Sequence, residues 1–209
     1  MGVGVERVLK DPAIRKARRL QLDNETLIIV IAVVVLIVVG IVAAIANRAM
    51  RSRKLREKFG PEYDYTMKKV GDRRAAEEAL EEREKRVSKL NIRALDPNEW
   101  EHYHERWIEI QSGFVDKPAE SVQEANQLIK NAMAARGFPV ADFEQRVEDI
   151  SVLYPDFVSN YRSAHAIALK NQQDGGASTE ELRQAMVHYR SLFEELLETA
   201  ENKAKENTG

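Results

Sequence analysis

Residues Leu27 to Ala46 form an unbroken apolar run of twenty residues with no charged or polar side chain. At about 1.5 Å per residue, a helix of that length spans roughly 30 Å, the thickness of a bilayer's hydrocarbon core. Thirteen of the twenty are Val or Ile, which in water favour strands. In lipid a lone strand would leave its backbone groups unpaired, whereas a helix satisfies them internally, so the solvent dictates the conformation. The run is expected to be a transmembrane helix. It is too long for the apolar core of a signal peptide, and Asn47-Arg48 follows it instead of a small-residue cleavage site, so an uncleaved anchor is expected.

Of the 209 residues, 32% are charged, and outside the run the chain reads like a soluble helical protein, so one crossing is expected. There is no cysteine, which excludes disulfides, thiolate metal sites and cysteine nucleophiles. The net charge of −2 conceals an asymmetry. Residues 1–26, a polar basic segment, carry six basic and four acidic side chains (+2); residues 47–94 carry fifteen and nine (+6); residues 95–209 carry eleven and twenty-one (−10). A nucleic-acid domain places a basic face on its folded part, so the acidic distal region argues against nucleic acid as a partner.

The basic flanks set the orientation. Lys10, Arg15, Lys16, Arg18 and Arg19 precede the run; Arg48, Arg51, Arg53, Lys54, Arg56 and Lys58 follow it. Within eight residues the count is one against four, which favours an outside amino terminus and a cytoplasmic carboxyl-terminal domain. In that orientation Arg48 to Lys58 meet anionic lipid headgroups, each basic residue near the surface contributing on the order of 1 kcal/mol. Within the run, Gly40 and Ala44 make a small-xxx-small pair. It either lets two copies approach closely as a homodimer or consists of incidental small residues facing lipid.

Lys58-Phe59-Gly60-Pro61-Glu62 breaks the helix that leaves the membrane. From about Tyr63 to Leu90 a charged helix is expected, as a linker, a coiled-coil segment or the lightly buried first helix of the domain. Beyond it, five amphipathic helices are expected between residues 95 and 200. Asp96-Pro97-Asn98-Glu99 reads as a capping box opening a helix with Trp100, Tyr103, Trp107, Ile110 and Phe114 on one face. Pro118 opens the next, with Val122, Ala125, Ile129 and Met133, and Gly137 ends it. A short helix carries Phe143, Val147 and Ile150; another starts at Pro155 and bears Val158, Tyr161, His165 and Ala168. Ser178-Thr179-Glu180-Glu181 caps the last, with Leu182, Met186, Tyr189, Phe193, Leu196 and Ala200. Residues 201–209 read as a frayed tail. No segment shows strand alternation with hairpin turns. The fold class is therefore all-α: a transmembrane helix, a basic juxtamembrane linker over residues 47–94, and a helical bundle of about five helices over residues 95–200.

Few residue patterns point to chemistry. Glu99 with His102, and Glu101 with His104, repeat the Glu-x-x-His spacing of di-iron bundles, but no second such helix exists. There is no Gly-x-Ser-x-Gly elbow and no phosphate-binding glycine loop. No catalytic residue, cofactor site or metal ligand is assigned. Asp142, Arg146, Arg162 and His165, with Glu144 and Asp149, either line a polar groove or cross-link neighbouring helices.

Three strings, Arg56-Glu57-Lys58-Phe59-Gly60-Pro61-Glu62-Tyr63, Gly137-Phe138-Pro139-Val140-Ala141-Asp142-Phe143-Glu144-Gln145-Arg146 and Thr179-Glu180-Glu181-Leu182-Arg183-Gln184-Ala185-Met186-Val187-His188-Tyr189-Arg190, resemble a family of uncharacterised bacterial single-pass membrane proteins with a carboxyl-terminal helical domain. The resemblance covers about Arg48 to Leu197 and implies a bacterial inner-membrane setting. It brings no activity or catalytic residue with it. An anchor joined to a well-patterned helical domain without catalytic motifs suggests a protein-interaction adaptor or regulator, not an enzyme, whose partners are membrane lipid and another protein. The rival is an extracytoplasmic ligand-binding or enzymatic module on a tether.

Overall fold

A computed structural model describes residues 24–139, 141–174 and 176–206. Most of the basic amino-terminal segment, including Arg15, Lys16, Arg18 and Arg19, lies outside the described residues, as do residues 207–209 of the tail. The described chain forms eight helices: α1 (Asn24–Phe59), α2 (Pro61–Val70), α3 (Arg73–Val87), α4 (Pro97–Gly113), α5 (Pro118–Ala135), α6 (Phe143–Ile150), α7 (Val158–Asp174) and α8 (Thr179–Glu206). A 3-10 turn, Pro155–Phe157, precedes α7, and no strand occurs among the described residues. The class is all-α, as the apolar periodicity requires. Two compact units divide the chain, Met1–Arg51 and Ser52–Gly209.

In the first unit α1 carries the apolar run. Residues 26 to 51 are exposed throughout, and Leu36 is 70% exposed. A core helix of a soluble domain would bury a stripe of these side chains; this one buries none, and it is long and apolar enough to cross a membrane.

The second unit begins inside α1, where Leu55 and Phe59 turn inward. Gly60, at φ +48°, breaks the helix, and Pro61 starts α2. The single helix expected over 63–90 is two helices. Gly71 at φ +79° ends α2, its N–H donating to the Met67 carbonyl, and the Asp72 carboxylate accepts from the Ala75 N–H at 2.8 Å to start α3. Leu55, Phe59, Tyr63, Leu80, Val87 and Val152 bury one another in a first apolar cluster. The helix pair does not project: α3 packs on α6, and α2 packs on α7 and the 3-10 turn. Residues 52–94 thus share a compact unit with the bundle.

The larger cluster belongs to α4–α8. The Asp96/Glu99 capping box forms in both directions, as does the Ser178/Glu181 pair that opens α8. Helix α5 is central, packing on α4, α7 and α8, and α7 pairs with α8 along most of its length. Small side chains permit these close approaches: Ala125, Ala132, Ala164 and Ala185 are fully or almost fully buried. Gly137 follows α5 at φ +94°, and a Cβ there would come within 2.4 Å of the Asn91 carbonyl oxygen. Only glycine fits both that dihedral and that approach. Helix α8 continues to Glu206, past the apolar spacing that stops at Ala200.

Candidate functional site

The six basic residues that follow the run are exposed, and they differ in their partners. Arg53 pairs with Glu57 at 2.8 Å, Arg56 with Asp64 at 3.1 Å and Lys58 with Glu84 at 2.7 Å. Arg48 and Lys54 have no hydrogen bond or ion pair among the described residues. Any lipid headgroup therefore competes with a carboxylate for Arg53, Arg56 and Lys58, and with water alone for Arg48 and Lys54. Gly40 has open space where a side chain would stand, and Ala44 is exposed.

The four residues read as a polar groove separate into different surroundings. Asp142 caps α6, accepting from the Gln145 N–H at 3.0 Å. Arg162 belongs to an ionic network reaching back to α2. Its Nη2 donates to Glu62 Oε1 at 2.7 Å, its Nη1 lies 3.8 Å from Glu144 Oε2, and its guanidinium stands 4.1 Å from the Tyr65 ring centre. Arg83 donates to the same Glu62 oxygen at 2.9 Å and to Glu148 at 3.3 Å, while Arg86 reaches Glu148 at 3.1 Å and Asp149 at 2.7 Å. Arg146 and His165 share another ring, Phe143: His165 stacks on it at 3.6 Å, and the Arg146 guanidinium lies 5.9 Å from its centre. Burial, with Arg146 and Lys130 nearby, pushes the pKa of the His165 imidazole below its ordinary range.

The histidines of α4 are held by rings. His104 stacks on Trp100 at 4.8 Å, and His102 meets the edge of Tyr103 at 5.5 Å. Glu99 is committed elsewhere. Arg93 grips both its oxygens at 2.7 and 2.6 Å and the Asp96 N–H donates to it at 2.9 Å, which holds its carboxyl down at about 2. Among the described residues no three His, Asp or Glu side chains are grouped to hold a metal ion.

Periodicity did not reveal a groove between α4 and α8, because its residues read as an ordinary core stripe. Both helices pack on α5. Between them Trp107 stacks on Phe193 at 4.7 Å to make the floor. Two adjoining cavities, about 270 and 400 Å³, share Trp107, Gln111 and Arg190. Ile108 and Val187 stand on the walls, 53% and 48% exposed. On the rim, Arg183 stands at the end near Phe114 and pairs with Glu180 at 2.7 Å, Arg190 stands between the two cavities and pairs with Glu194 at 2.6 Å, and Glu198 stands at the end near Leu197. No family model matches the chain, and neither a curated protein nor a solved structure matches it.

Proposed function

We propose that the chain is a single-pass protein of the bacterial inner membrane whose helical domain, at the cytoplasmic face, binds an amphipathic helix of another protein and acts as an adaptor or regulator. The α4–α8 groove is the observation that carries this reading. It runs from Trp100 to Phe114, about 20 Å at 1.5 Å per residue, which accommodates three to four turns of a third helix. Its apolar floor suits anchors spaced i, i+3, i+4 and i+7. The rim residues suit the dipole of such a helix lying antiparallel to α8, its amino terminus beside Glu198 and its carboxyl terminus beside Arg183.

The apolar span of α1 fits a membrane anchor. Four basic residues directly after it, against one directly before, favour the cytoplasmic side, with Arg48 first after the run. The wider count of five before against six after is what keeps an extracytoplasmic tethered module in play. Protease added to intact spheroplasts discriminates. Protection of the domain until lysis fits the cytoplasmic reading; digestion in intact spheroplasts overturns it.

A further inference from the structure

We propose that Arg146 of α6 and His165 of α7, which share the Phe143 ring, form with the neighbouring Lys130 of α5 a binding site for a phosphate-class oxyanion. Arg146 is 93% buried, being 7% exposed. Its Nη1 donates to the Ala141 carbonyl, its Nε has no acceptor, and none of the described Asp or Glu residues forms an ion pair with it. The other buried arginines are provided for. Arg83 has Glu62 and Glu148; Arg136 donates to the Arg93 carbonyl, the Tyr154 hydroxyl and the Leu196 carbonyl. Among the described residues two buried guanidinium groups, Arg136 and Arg146, thus have no carboxylate, and of the two only Arg146 has a nitrogen without an acceptor; a buried charge without a counter-ion is strongly unfavourable.

The groups facing Arg146 add donors, not carboxylates. From α7, His165 presents a stacked imidazole whose Nδ1 has no partner, and the buried Tyr161 hydroxyl stands close enough to Arg146 for the guanidinium to counter part of the rise that burial gives its pKa. From α8 comes the Tyr189 hydroxyl, also without a partner. From α5, Lys130 feels Arg146 strongly enough that burial and this like charge together lower its ammonium pKa. Asp142 caps α6, Glu144 is held by Lys69 at 2.9 Å and faces Arg162 and His165, and Glu148 and Asp149 pair with Arg86, although Asp149 Oδ2 has no partner. A planar guanidinium, an ammonium and an imidazole N–H match a tetrahedral oxyanion, which offers several acceptor oxygens and the missing negative charge.

The test uses the full chain in a phosphate-free neutral detergent, titrated with inorganic phosphate against chloride at constant ionic strength, reading the His165 ring nitrogens by NMR and the thermal midpoint. A parallel arm uses nanodiscs with and without phosphatidic acid. A saturable response to inorganic phosphate supports a soluble ligand; a response only to phosphatidic acid supports a lipid headgroup. Lys130→Gln, a half-buried position, should weaken the response about tenfold, as loss of one charge-assisted contact does. Arg146→Met should abolish it while leaving the phosphate-free chain as stable or more so, since the uncompensated charge is gone. No response in either arm, or a full response from folded Arg146→Met, overturns the site.

Discussion

Glu62 and Arg162 stand 100 positions apart in sequence and meet at 2.7 Å, Arg162 Nη2 donating to Glu62 Oε1, the oxygen that Arg83 also holds. Glu62 is 3% exposed. The carboxylate thus joins α2, α3 and α7 through a single buried oxygen and makes the α2–α3 pair part of the domain.

Removing that charge takes away the buried anion that Arg83 and Arg162 share and leaves them only Glu148 at 3.3 Å and Glu144 at 3.8 Å. Glu62→Gln should destabilise the second unit by about 3 kcal/mol, the usual cost of breaking a buried pair from one side. Urea unfolding of the full chain in detergent, followed by the fluorescence of Trp100 and Trp107, measures it. Glu57→Gln, whose pair with Arg53 is mostly exposed, should leave the unfolding midpoint unchanged.

Glu77 gives the domain a pH dependence of known sign. Burial alone would raise its pKa, but hydrogen bonds from Ser52, Arg73 and Tyr63 outweigh it and hold the carboxyl below its ordinary 4.5. A carboxyl depressed in the folded state stabilises the fold above its unfolded pKa, and that contribution disappears as pH falls through the folded value. Unfolding curves of wild type and Glu77→Gln between pH 6 and pH 3 should therefore converge as the pH drops below about 4.5. Parallel curves would rule out the coupling.

Gly137 and Gly71 both sit at positive φ, but only Gly137 faces backbone at 2.4 Å from a Cβ position; Gly71 has open space. Gly71→Ala should cost about 1 kcal/mol from dihedral strain, and Gly137→Ala about 3 kcal/mol, because the Asn91 carbonyl must also move. Thermal melts of the two variants side by side test the difference.

The long apolar helix was legible as an unbroken run, and the capping boxes at Asp96 and Ser178 and the five bundle helices were legible because caps and apolar spacing are encoded locally. The helix pair over 61–87 was not. Gly71-Asp72 sits in a run of charged residues, so a terminator followed by an initiator read as part of one exposed helix. The ionic network escaped for a different reason: ion pairs at short spacing can be counted along the chain, but Glu62 with Arg162 depends on tertiary packing. Arg146 and His165 share the Phe143 ring, while Asp142 caps α6 and Arg162 is held by Glu62. The groove stayed hidden because Trp107 and Phe193 are buried like core residues; what distinguishes the place is that no helix among the described residues covers Ile108 and Val187.

Docking in that groove is tested most directly by a photocrosslinking amino acid placed at Val187 in the full chain in cells, with Leu153, 45% exposed on another part of the domain, as the control. A single adduct should form from Val187 and not from Leu153. Its partner peptide should carry apolar residues three and four apart, and Ile108→Glu should remove it without changing the fold. Adducts of equal yield from both positions, or a Val187 adduct indifferent to Ile108→Glu, would contradict helix docking between α4 and α8.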